Sequence, residues 1–537
     1  MSLKDKVLKK IEENNKNKDL SKTLRDLPLP HQLKNCTRAA KRIVQNLMDG
    51  KKMLVLGDYD ADGILATSIL MSFLREVGFT EEFVDFKIPS RLEDGYGLSV
   101  NLVHYAIENN FDFIVTVDNG ISAVEAVKVA KENNIEVIIT DHHTVPSIIP
   151  DADIIVNPKM PDETFPFREI SGATVAWYLT AALNIELKTD IAMAKYLDFV
   201  AITIMSDVMP LDNINIPLFN YGLNLIKQRK RYVYNLLWND WTAPTIDSTE
   251  LSFSLVPRIN AIGRIDDANK GVKLFISKDK QEIYQLYQEL TEVNEKRKTM
   301  SRQSTKEAEA IISKLKISDD PVIVVRGDFH EGIVGIIAGR LAEKYKRPAY
   351  VASYNEKKGV WKGSARTFGN IHLYDLTNQA NEFLSGFGGH KGAVGFMVKD
   401  ENWEKFKDKL NEVGKTFKKE DLIDTSVDPI LCELSEITDE VIQIIQDNKP
   451  YGNDKKEPIF LVENVTFEIE KELKGGLHYK GRLKQNGTSV PALFFNVEDD
   501  FLELIQKILD KVTLQVTMNY NPKNDTFGYE FICNIYK

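Results

Sequence analysis

The chain is poor in the features that mark secreted, membrane-spanning or zinc-binding proteins. Its three cysteines, Cys36, Cys432 and Cys533, are scattered along 537 residues, which fits reduced thiols and excludes a cysteine-based metal site. No apolar run approaches the roughly 20 residues that span a membrane, and the lysine-rich start has no apolar stretch behind it. We therefore expect neither a transmembrane segment nor a signal peptide, and a cytoplasmic location.

The chain also lacks a positive charge excess. Its formal net charge is −10, which argues against a basic coat for nucleic acid but leaves room for a local basic groove. With 43% hydrophobic and 28% charged residues the composition is that of an ordinary globular protein. The length suggests about three domains, at roughly 100–200 residues each.

The most informative stretch that is present reads MLVLGDYDADGI, from residue 53 to residue 64. An apolar run ends in three aspartates at alternate positions, Asp58, Asp60 and Asp62, and a second apolar run follows. If a buried strand leads into a helix here, the acids lie at the carboxyl end of the strand, where open α/β sheets place ligands. Such close carboxylates favour a divalent cation, although an acidic turn explains the stretch equally well.

Strands and helices then alternate, which predicts a mostly parallel sheet with helices on both faces. The predicted strands are 53–56, 84–88, 113–117 and 136–140. Asp118 follows the third strand, and Asp141, His142 and His143 follow the fourth. Asp118 alone could cap the next helix. We expect one of the two histidines to bind metal, oriented by Asp141, and the other to face substrate.

An acid also ends an apolar helix predicted from residue 191 to residue 206. Asp207 follows this helix, where a negative charge opposes the helix dipole. A metal partner would explain its presence, and an exposed turn before Pro210 is the alternative.

Four of these motifs, DYDADG, DNG, DHH and SDVMPL, stand in the order of the DHH phosphoesterase superfamily, which the chain resembles. Within it, the chain looks most like the RecJ family of single-strand-specific exonucleases. That likeness rests on three further segments: SRLEDGYGLS (90–99), PRINAIGRIDDA (257–268), and the downstream GSAR with GFGGHKGAVGF. The resemblance implies a metal-dependent hydrolase that takes mononucleotides from the 5′ end of single-stranded DNA in repair and recombination.

The resemblance also implies a two-metal centre. One ion would lie on Asp60 and Asp118, and a second on Asp62, Asp118, His142 and Asp207, with Asp58 as a ligand or a partner of a ligand. Oxygen-rich ligation suits Mn²⁺ or Mg²⁺, and the choice between them stays open. The residues expected to act on the scissile phosphate are His143, Asp141 and His390.

Substrate contacts are expected from residues in several segments. Arginine offers a planar donor fork suited to phosphate, and glycines let backbone amides approach it. The PRINAIGR segment is expected to form a loop, and one of its arginines could instead pair with Asp266 or Asp267. The terminal 5′ phosphate is assigned to Arg91, Arg264, Ser364 and Arg366. The full expected set is Arg91, Arg258, Asn260, Arg264, Ser364, Arg366 and Lys480.

The expected architecture is an α/β chain with five segments. They are an N-terminal helical cap (1–50), a parallel-sheet catalytic domain (51–270), a long linking helix (271–320), a second α/β domain that binds substrate (321–424) and a C-terminal OB-fold β-barrel (425–537). OB-folds bind single strands with basic and aromatic side chains, and Phe494 or Phe495 could stack on a base. We expect the two α/β domains to form a cleft.

The expected partners are single-stranded DNA and either a single-strand-binding protein or a helicase, with no membrane, and we expect a monomer. One alternative is a related phosphodiesterase that acts on short oligonucleotides, cyclic dinucleotides or pyrophosphate. The long helix and the β-barrel speak against it, because a small substrate needs neither. The other alternative is a non-catalytic replication scaffold with this fold. Such a scaffold would lack some of the metal-binding residues, whereas this chain has the expected residue at every such position.

Overall fold

The protein is described from a computed structural model, which covers residues 1–91, 94–240, 242–423, 428–452, 454–497, 501–521 and 526–535. In chain order the helices are α1 (Leu3–Asn15), α2 (Cys36–Met48), α3 (Ala61–Glu76), α4 (Val100–Glu108), α5 (Val124–Glu132), α6 (Gly172–Glu186), α7 (Leu197–Ser206), α8 (Asn215–Lys227), α9 (Tyr232–Leu237), α10 (Ser248–Glu250), α11 (Val256–Ile265), α12 (Asn269–Ile276), α13 (Lys280–Leu315), α14 (Val334–Tyr345), α15 (Leu373–Asn378), α16 (Trp403–Gly414), α17 (Asp439–Asp447) and α18 (Phe501–Leu504).

The strands, in the same order, are β1 (Met53–Leu56), β2 (Val84–Lys87), β3 (Phe113–Val117), β4 (Glu136–Thr140), β5 (Ile154–Val156), β6 (Ile323–Gly327), β7 (Ala349–Asn355), β8 (Val360–Arg366), β9 (Leu384–Gly389), β10 (Ala393–Lys399), β11 (Ile430–Leu431), β12 (Phe460–Leu473), β13 (His478–Gln485), β14 (Thr488–Phe495), β15 (Leu509–Asn521) and β16 (Thr526–Ile535). The chain divides into two compact units. The first comprises Met1–Gly263, Asp267–Glu289 and Pro429–Lys537, and the second Arg264–Asp266 and Leu290–Asp428.

The first unit contains the predicted parallel sheet, in the order β2-β1-β3-β4-β5. Every neighbouring pair in it runs parallel. Its central strands β1 and β3 are apolar except for Thr116 and are fully buried, because helices cover both faces of such a sheet. The expected fold class is confirmed, and the observed β1, β3 and β4 have the predicted bounds.

The PRINAIGR segment is a helix, so the expected loop is wrong. A π-helical turn, Leu251–Leu255, leads directly into α11. Buried apolar residues at a spacing of three, Val256, Ile259 and Ile262, give α11 its packed face. Gly263 serves close packing here, since a Cβ at this position would lie 1.8 Å from the carbonyl oxygen of Tyr59.

The second unit has a mixed sheet in the order β6-β7-β8-β10-β9, in which β6 and β7 are parallel and the other pairs antiparallel. The glycine-rich GSAR and GFGGHKGAVGF segments lie in strands β8, β9 and β10 and in the short connection between β9 and β10. Gly363 packs against an aromatic ring: a Cβ there would lie 2.4 Å from Cζ of Phe396.

The C-terminal part of the first unit is a five-stranded barrel, β12-β13-β14-β16-β15, closed by pairing of β12 with β15. This confirms the OB-fold. The sequence also predicts a helix near 500–509 and a last strand at 529–536, and of these Asp500 and Tyr536 lie outside the described residues.

Helix α1 is part of the core of this C-terminal barrel, although we expected a peripheral cap. Leu3, Val7 and Ile11 recur every four residues and are buried in one hydrophobic cluster with residues of the barrel. The Lys4 ammonium also pairs with the Glu440 carboxylate at 2.6 Å. The first helix of the chain therefore belongs structurally to the last domain.

Within the described residues, no helix combines the length and the apolar character that crossing a membrane requires.

Candidate metal centre

The loop after β1 is held by its own acids. Asp60 caps helix α3: its Oδ1 accepts hydrogen bonds from the amides of Asp62 at 3.0 Å and Gly63 at 3.2 Å. Asp58 is buried beneath this loop at 1% exposure. The cap fixes the direction in which the three carboxylates project from the carboxyl edge of the sheet.

Asp118 follows β3 in a left-handed conformation, with φ at 64°. A non-glycine residue pays about 1–3 kcal/mol for such a backbone, which persists only where the surroundings hold it. The Asn119 side chain supplies that support by donating to the carbonyls of Leu56 and Val117 and accepting from the amide of Leu98. Because α5 begins only at Val124, the alternative that Asp118 caps it is wrong.

Helix α6 contributes to the site through its first turn, which we did not predict. The amides of Gly172 and Ala173 donate to the two carboxylate oxygens of Asp62, at 2.7 and 2.9 Å. A Cβ on Gly172 would lie 2.3 Å from Oδ1 of Asp118. Only glycine therefore fits between the helix and Asp118. The one feature of the sequence that could have indicated this contribution of α6 is the Ser-Gly pair at the start of the helix.

The unprotonated ring nitrogen of His142 faces three carboxylates of the cluster. Its Nδ1 lies 2.8 Å from the carbonyl oxygen of Ile170, and because a carbonyl only accepts, Nδ1 carries the proton. Its Nε2 lies 3.2 Å from Asp118, 3.4 Å from Asp207 and 3.7 Å from Asp62. The orienting acceptor is thus Ile170 and not Asp141, so that part of the prediction is wrong.

Asp141 instead orients His143. Its Oδ1 accepts from Nδ1 of His143 at 2.7 Å, while its Oδ2 accepts from the amide of Ile121 at 2.9 Å. Burial acts to lower the pKa of His143, but the hydrogen bond and charge of Asp141 outweigh it and raise that pKa to about 9. The Tyr96 hydroxyl lies 3.1 Å from Nε2 of His143, a contact that sequence reasoning missed. His143 therefore faces outward as a cationic donor.

The acids and histidines form groups whose ligand atoms lie within 4.8 Å of one another. Asp118 belongs to more than one of them, so it can bridge two ions. The groups are Asp58 with Asp60 and Asp118, Asp62 with His142 and Asp207, and Asp118 with His142 and His143. Several of their buried atoms have no hydrogen-bond partner among the described residues, namely Oδ1 of Asp58, Oδ1 of Asp118 and Nε2 of His142. Unsatisfied acceptors of this kind fit metal ligation.

The pKa shifts of the cluster also fit the binding of a cation. Burial, with the charge of neighbouring acids, raises the pKa of Asp58, Asp62 and Asp118 well above the usual value. Burial, and then the charge of Asp60, raises the pKa of Asp207 to about 7. Burial, and then His143, lowers the pKa of His142 to about 3, which keeps it neutral. Without a cation this cluster holds protons, and a divalent cation would allow the acids to ionise.

Two of the other predicted residues of the first unit, Arg91 and Asn260, contact the segment 59–61. The Arg91 guanidinium stacks 5.1 Å from the ring centroid of Tyr59. Asn260 accepts from the amide of Ala61 at 2.8 Å, so it fixes the start of α3. Arg258 donates to Oγ of Ser254 at 3.0 Å, one turn earlier in the helix. Contacts of these residues with substrate stay predictions.

In the second unit, Ser364 and Arg366 lie at the first turn of α14. Nη1 of Arg366 donates to Oγ of Ser364 at 2.7 Å. A Cβ on Gly335 would lie 3.0 Å from Nη2 of Arg366 and 3.2 Å from Oγ of Ser364. Two donors beside a helix N-terminus form a suitable anion site. In the same unit Arg264 donates to the carbonyl of Gly332 at 3.3 Å.

Two further predicted site residues lie beside or within strands, His390 after β9 and Lys480 in β13. His390 is exposed after β9 and accepts from the amide of Gly392 at 3.2 Å. Lys480 of the barrel pairs with the buried carboxylate of Glu530. Phe494 is only 3% exposed and packs in the barrel core, so it cannot stack on a base, whereas Phe495 is 42% exposed.

Comparison with protein families places three domains along the chain. The "DHH family, N-terminal domain" matches residues 52–204, the "DHHA1 domain" residues 319–418 and the "RecJ OB domain" residues 430–530. The candidate ligands from Asp58 to His142, and also His143, fall within the first match, and Asp207 lies just beyond it. These matches define a DHH-type protein.

Comparison with curated relatives identifies the family within the DHH-type proteins. The single-stranded-DNA-specific exonuclease RecJ of Bacillus subtilis is 33% identical over 471 residues, which is 87% of this chain but 59% of that relative. The protein of the same name from Haemophilus influenzae is 30% identical over 89% of this chain and 87% of its own length. A crystal structure of RecJ from Thermus thermophilus in complex with Mn²⁺ superposes with a TM-score of 0.74 at 28% identity, covering 97% of this chain and 74% of that one. The chain belongs to the RecJ family, which confirms the resemblance predicted from its motifs.

Proposed function

We propose that the chain is a metal-dependent exonuclease that removes mononucleotides from the 5′ end of single-stranded DNA, in repair and recombination. One observation carries the proposal: two groups of closely spaced ligand atoms, one with Asp58 and Asp60 and the other with His142 and His143, share the buried Asp118 at the carboxyl edge of the parallel sheet. Relatives named as single-stranded-DNA-specific exonucleases support the substrate, and the neighbour structure with Mn²⁺ supports the metal.

In this proposal Asp58, Asp60 and Asp118 hold one divalent cation, and Asp62, Asp118, His142 and Asp207 hold the other. Bound by these residues, Mn²⁺ or Mg²⁺ would supply the positive charge that lowers the pKa of a water and neutralises charge on the phosphate. His143, held cationic by Asp141, binds the scissile phosphate and stands ready to protonate the departing oxygen. Tyr96 helps to hold the outward face of His143.

Ser364 and Arg366, at the first turn of α14, bind the terminal 5′ phosphate. The charge-assisted donors of Arg366 and the helix N-terminus both favour a dianion over the 5′ hydroxyl. Recognition of an end makes cutting exonucleolytic. The OB-fold barrel holds the rest of the strand, and a single-strand-binding protein or helicase is the expected protein partner of this monomer.

The test is digestion of single strands labelled at one end, with and without a 5′ phosphate, in Mn²⁺ and in Mg²⁺. We expect labelled mononucleotide to appear first from a 5′ label, and faster from the phosphorylated strand. Asp118→Ala should abolish the release, and Arg366→Ala should remove the preference for phosphate. Release from the 3′ end, or faster cleavage of dinucleotides than of long strands, would replace this function with the small-substrate alternative. Full activity of Asp118→Ala would remove the metal assignment.

A further inference from the structure

One buried asparagine joins two segments of the metal centre. Asn215 is the first residue of helix α8, and it is fully buried. Its Nδ2 donates to the carbonyl oxygen of Glu169 at 2.8 Å and to that of Pro210 at 2.9 Å. Carbonyl oxygens only accept hydrogen bonds, so the side-chain amide has a single possible orientation here. The two N–H groups of one nitrogen therefore connect two segments that are distant from each other in the chain.

The first segment, residues 169–173, positions a histidine and an acid of the candidate site. Ile170 directly follows Glu169, and its carbonyl oxygen accepts from Nδ1 of His142 at 2.8 Å. The start of α6 then donates two backbone amides to the carboxylate of Asp62. A shift of this segment would therefore move His142 and Asp62 together.

The second segment, residues 207–210, begins with Asp207 and ends with Pro210. Val208, between them, has a left-handed backbone with φ at 55°. A β-branched residue rarely adopts this conformation, which persists only where the surroundings hold it. The Val208 side chain is 53% exposed, so its own packing supplies little of that hold. The hydrogen bond from Asn215 fixes the segment at its Pro210 end.

The other end of the Asn215 amide is unpaired. Within the described residues, its buried Oδ1 has no hydrogen-bond partner. An unpaired buried oxygen opposes folding, so a side chain that served stability alone would be expected to have both ends paired. The two donors are thus the reason for an asparagine at this position. A serine has a single O–H and could serve only one of the two carbonyls.

We propose that Asn215 is a positioning residue for one of the two metal ions, the one assigned to His142 and Asp207. Asn215 holds the two segments at a fixed separation and so keeps Nε2 of His142 at 3.4 Å from Oδ2 of Asp207. The ion assigned to Asp58 and Asp60 depends on the loop after β1, which has its own cap. This inference rests on the proposed function and extends it, since it names what sets the affinity of one ion and not of the other.

The experiment titrates the metal-free full chain with Mn²⁺ in a calorimeter and compares Asn215→Ala and Asn215→Ser with the wild type. We expect the wild type to take up two ions. In Asn215→Ala one ion should bind roughly 10- to 100-fold more weakly, as at other sites that lose a residue orienting a ligand, and the other within about twofold of the wild type. Asn215→Ser keeps one donor and should lose less affinity, and it replaces Asn215→Ala in the comparison if that variant does not fold.

Digestion of 5′-phosphorylated single strands gives a second measurement. At limiting Mn²⁺ the kcat of Asn215→Ala should fall, and a roughly 10- to 100-fold higher Mn²⁺ concentration should restore it, because the weakened site then fills. The KM for the strand and the binding of the strand in EDTA should both stay at the wild-type values. A residue that served folding alone would show no recovery with metal.

Asn184→Ala is the matched control. Asn184 lies in the last turn of α6, about 18 Å along the helix axis from Gly172. Its Nδ2 also joins two segments, because it donates to the carbonyl oxygen of Ile191 at 3.0 Å. Asn184→Ala should lower the Tm of the metal-free chain, as Asn215→Ala does, but leave the affinity for both ions unchanged.

Wild-type affinity for both ions in Asn215→Ala, or an equal loss for both, would overturn the inference. A loss of activity that excess Mn²⁺ does not restore would also overturn it. The proposed function can fail separately. If Asn215→Ala loses one ion as expected but the wild type releases no mononucleotide from single strands, the proposed function is wrong and the positioning role of Asn215 stands.

Discussion

Gly172→Ala tests the geometry of the metal centre most directly, because it adds one methyl group at the point of closest approach between α6 and Asp118. The new Cβ would lie 2.3 Å from Oδ1 and 2.5 Å from both Cβ and Cγ of Asp118. Ordinary contact begins at about 3.4 Å, so one of the two must move by about 1 Å. Rotation of the carboxylate cannot relieve the clash, since Cβ of Asp118 is also involved.

We expect the displaced carboxylate to weaken Mn²⁺ binding by roughly 10- to 100-fold, as removal of a supporting contact does at other metal sites. Single-strand digestion should fall by about 100-fold, because a misplacement of about 1 Å has this effect on catalysis. Overpacking should also cost about 1–3 kcal/mol of unfolding free energy. A change from glycine to alanine within a helix would otherwise stabilise the fold by roughly 0.5–1 kcal/mol.

The assays are calorimetric titration with Mn²⁺, thermal unfolding and digestion of labelled single strands. Gly339→Ala is the control, because it lies within α14 and its Cβ would meet one atom at 3.8 Å, an ordinary contact. It should be neutral or stabilising. Wild-type metal affinity and activity in Gly172→Ala would refute the account of how α6 and Asp118 fit together.

Three further predictions concern stability and charge. Ile11→Ala should lower the free energy of unfolding by about 2–5 kcal/mol, because Ile11 is buried in the barrel core. Leu8→Ala, at a residue that is 43% exposed, should change it by less than about 0.5 kcal/mol. Urea unfolding followed by fluorescence measures both variants, and equal effects would contradict the placement of α1. Arg231→Ala should lower the free energy of unfolding by about 3–5 kcal/mol in the same assay, because it leaves the Asp198 carboxylate buried without its cation. A decrease below about 1 kcal/mol would show that this ion pair is dispensable for stability. Mn²⁺ binding should release protons at about pH 6, because in the metal-free fold the pKa values of Asp58, Asp62 and Asp118 are raised well above the usual value and that of Asp207 is raised to about 7. The Asp207 shift also destabilises the metal-free fold as pH rises from about 4 to 7. Calorimetry in buffers of different ionisation heat measures the release, and no release would show that these acids are already ionised.

The sequence predicted the sheet and the residues that cluster at its edge. Strand bounds followed from continuous apolar runs, and Asp58, Asp118 and His142 were found because each follows such a run at the carboxyl end of a strand. Parallel topology then brings those ends together. The groups of possible metal ligands found among the described residues contain only residues that the sequence had indicated, and among them Asp207 was indicated by its place at the end of an apolar helix.

The missed features depend on contacts between segments that are distant in the chain. The amide of Gly172 reaches Asp62 across 110 residues, and the carbonyl of Ile170 orients His142, but a backbone atom leaves no trace in the sequence. The PRINAIGR segment was read as a loop because its glycine was taken for a turn residue. Residue 263 is a glycine because the backbone of Tyr59 approaches it closely, and this contact is seen only in the folded chain.

The position of α1 has a consequence for how the protein is made. Lys4 and its partner Glu440 are separated by 436 residues, so the helix leaves the ribosome long before the barrel that buries it. At synthesis rates of about 5–20 residues per second, its apolar stripe waits for roughly 20–90 s. During that interval Leu3, Val7 and Ile11 are without the barrel residues that bury them. Productive folding of this protein therefore depends on keeping α1 from other apolar surfaces until the barrel emerges.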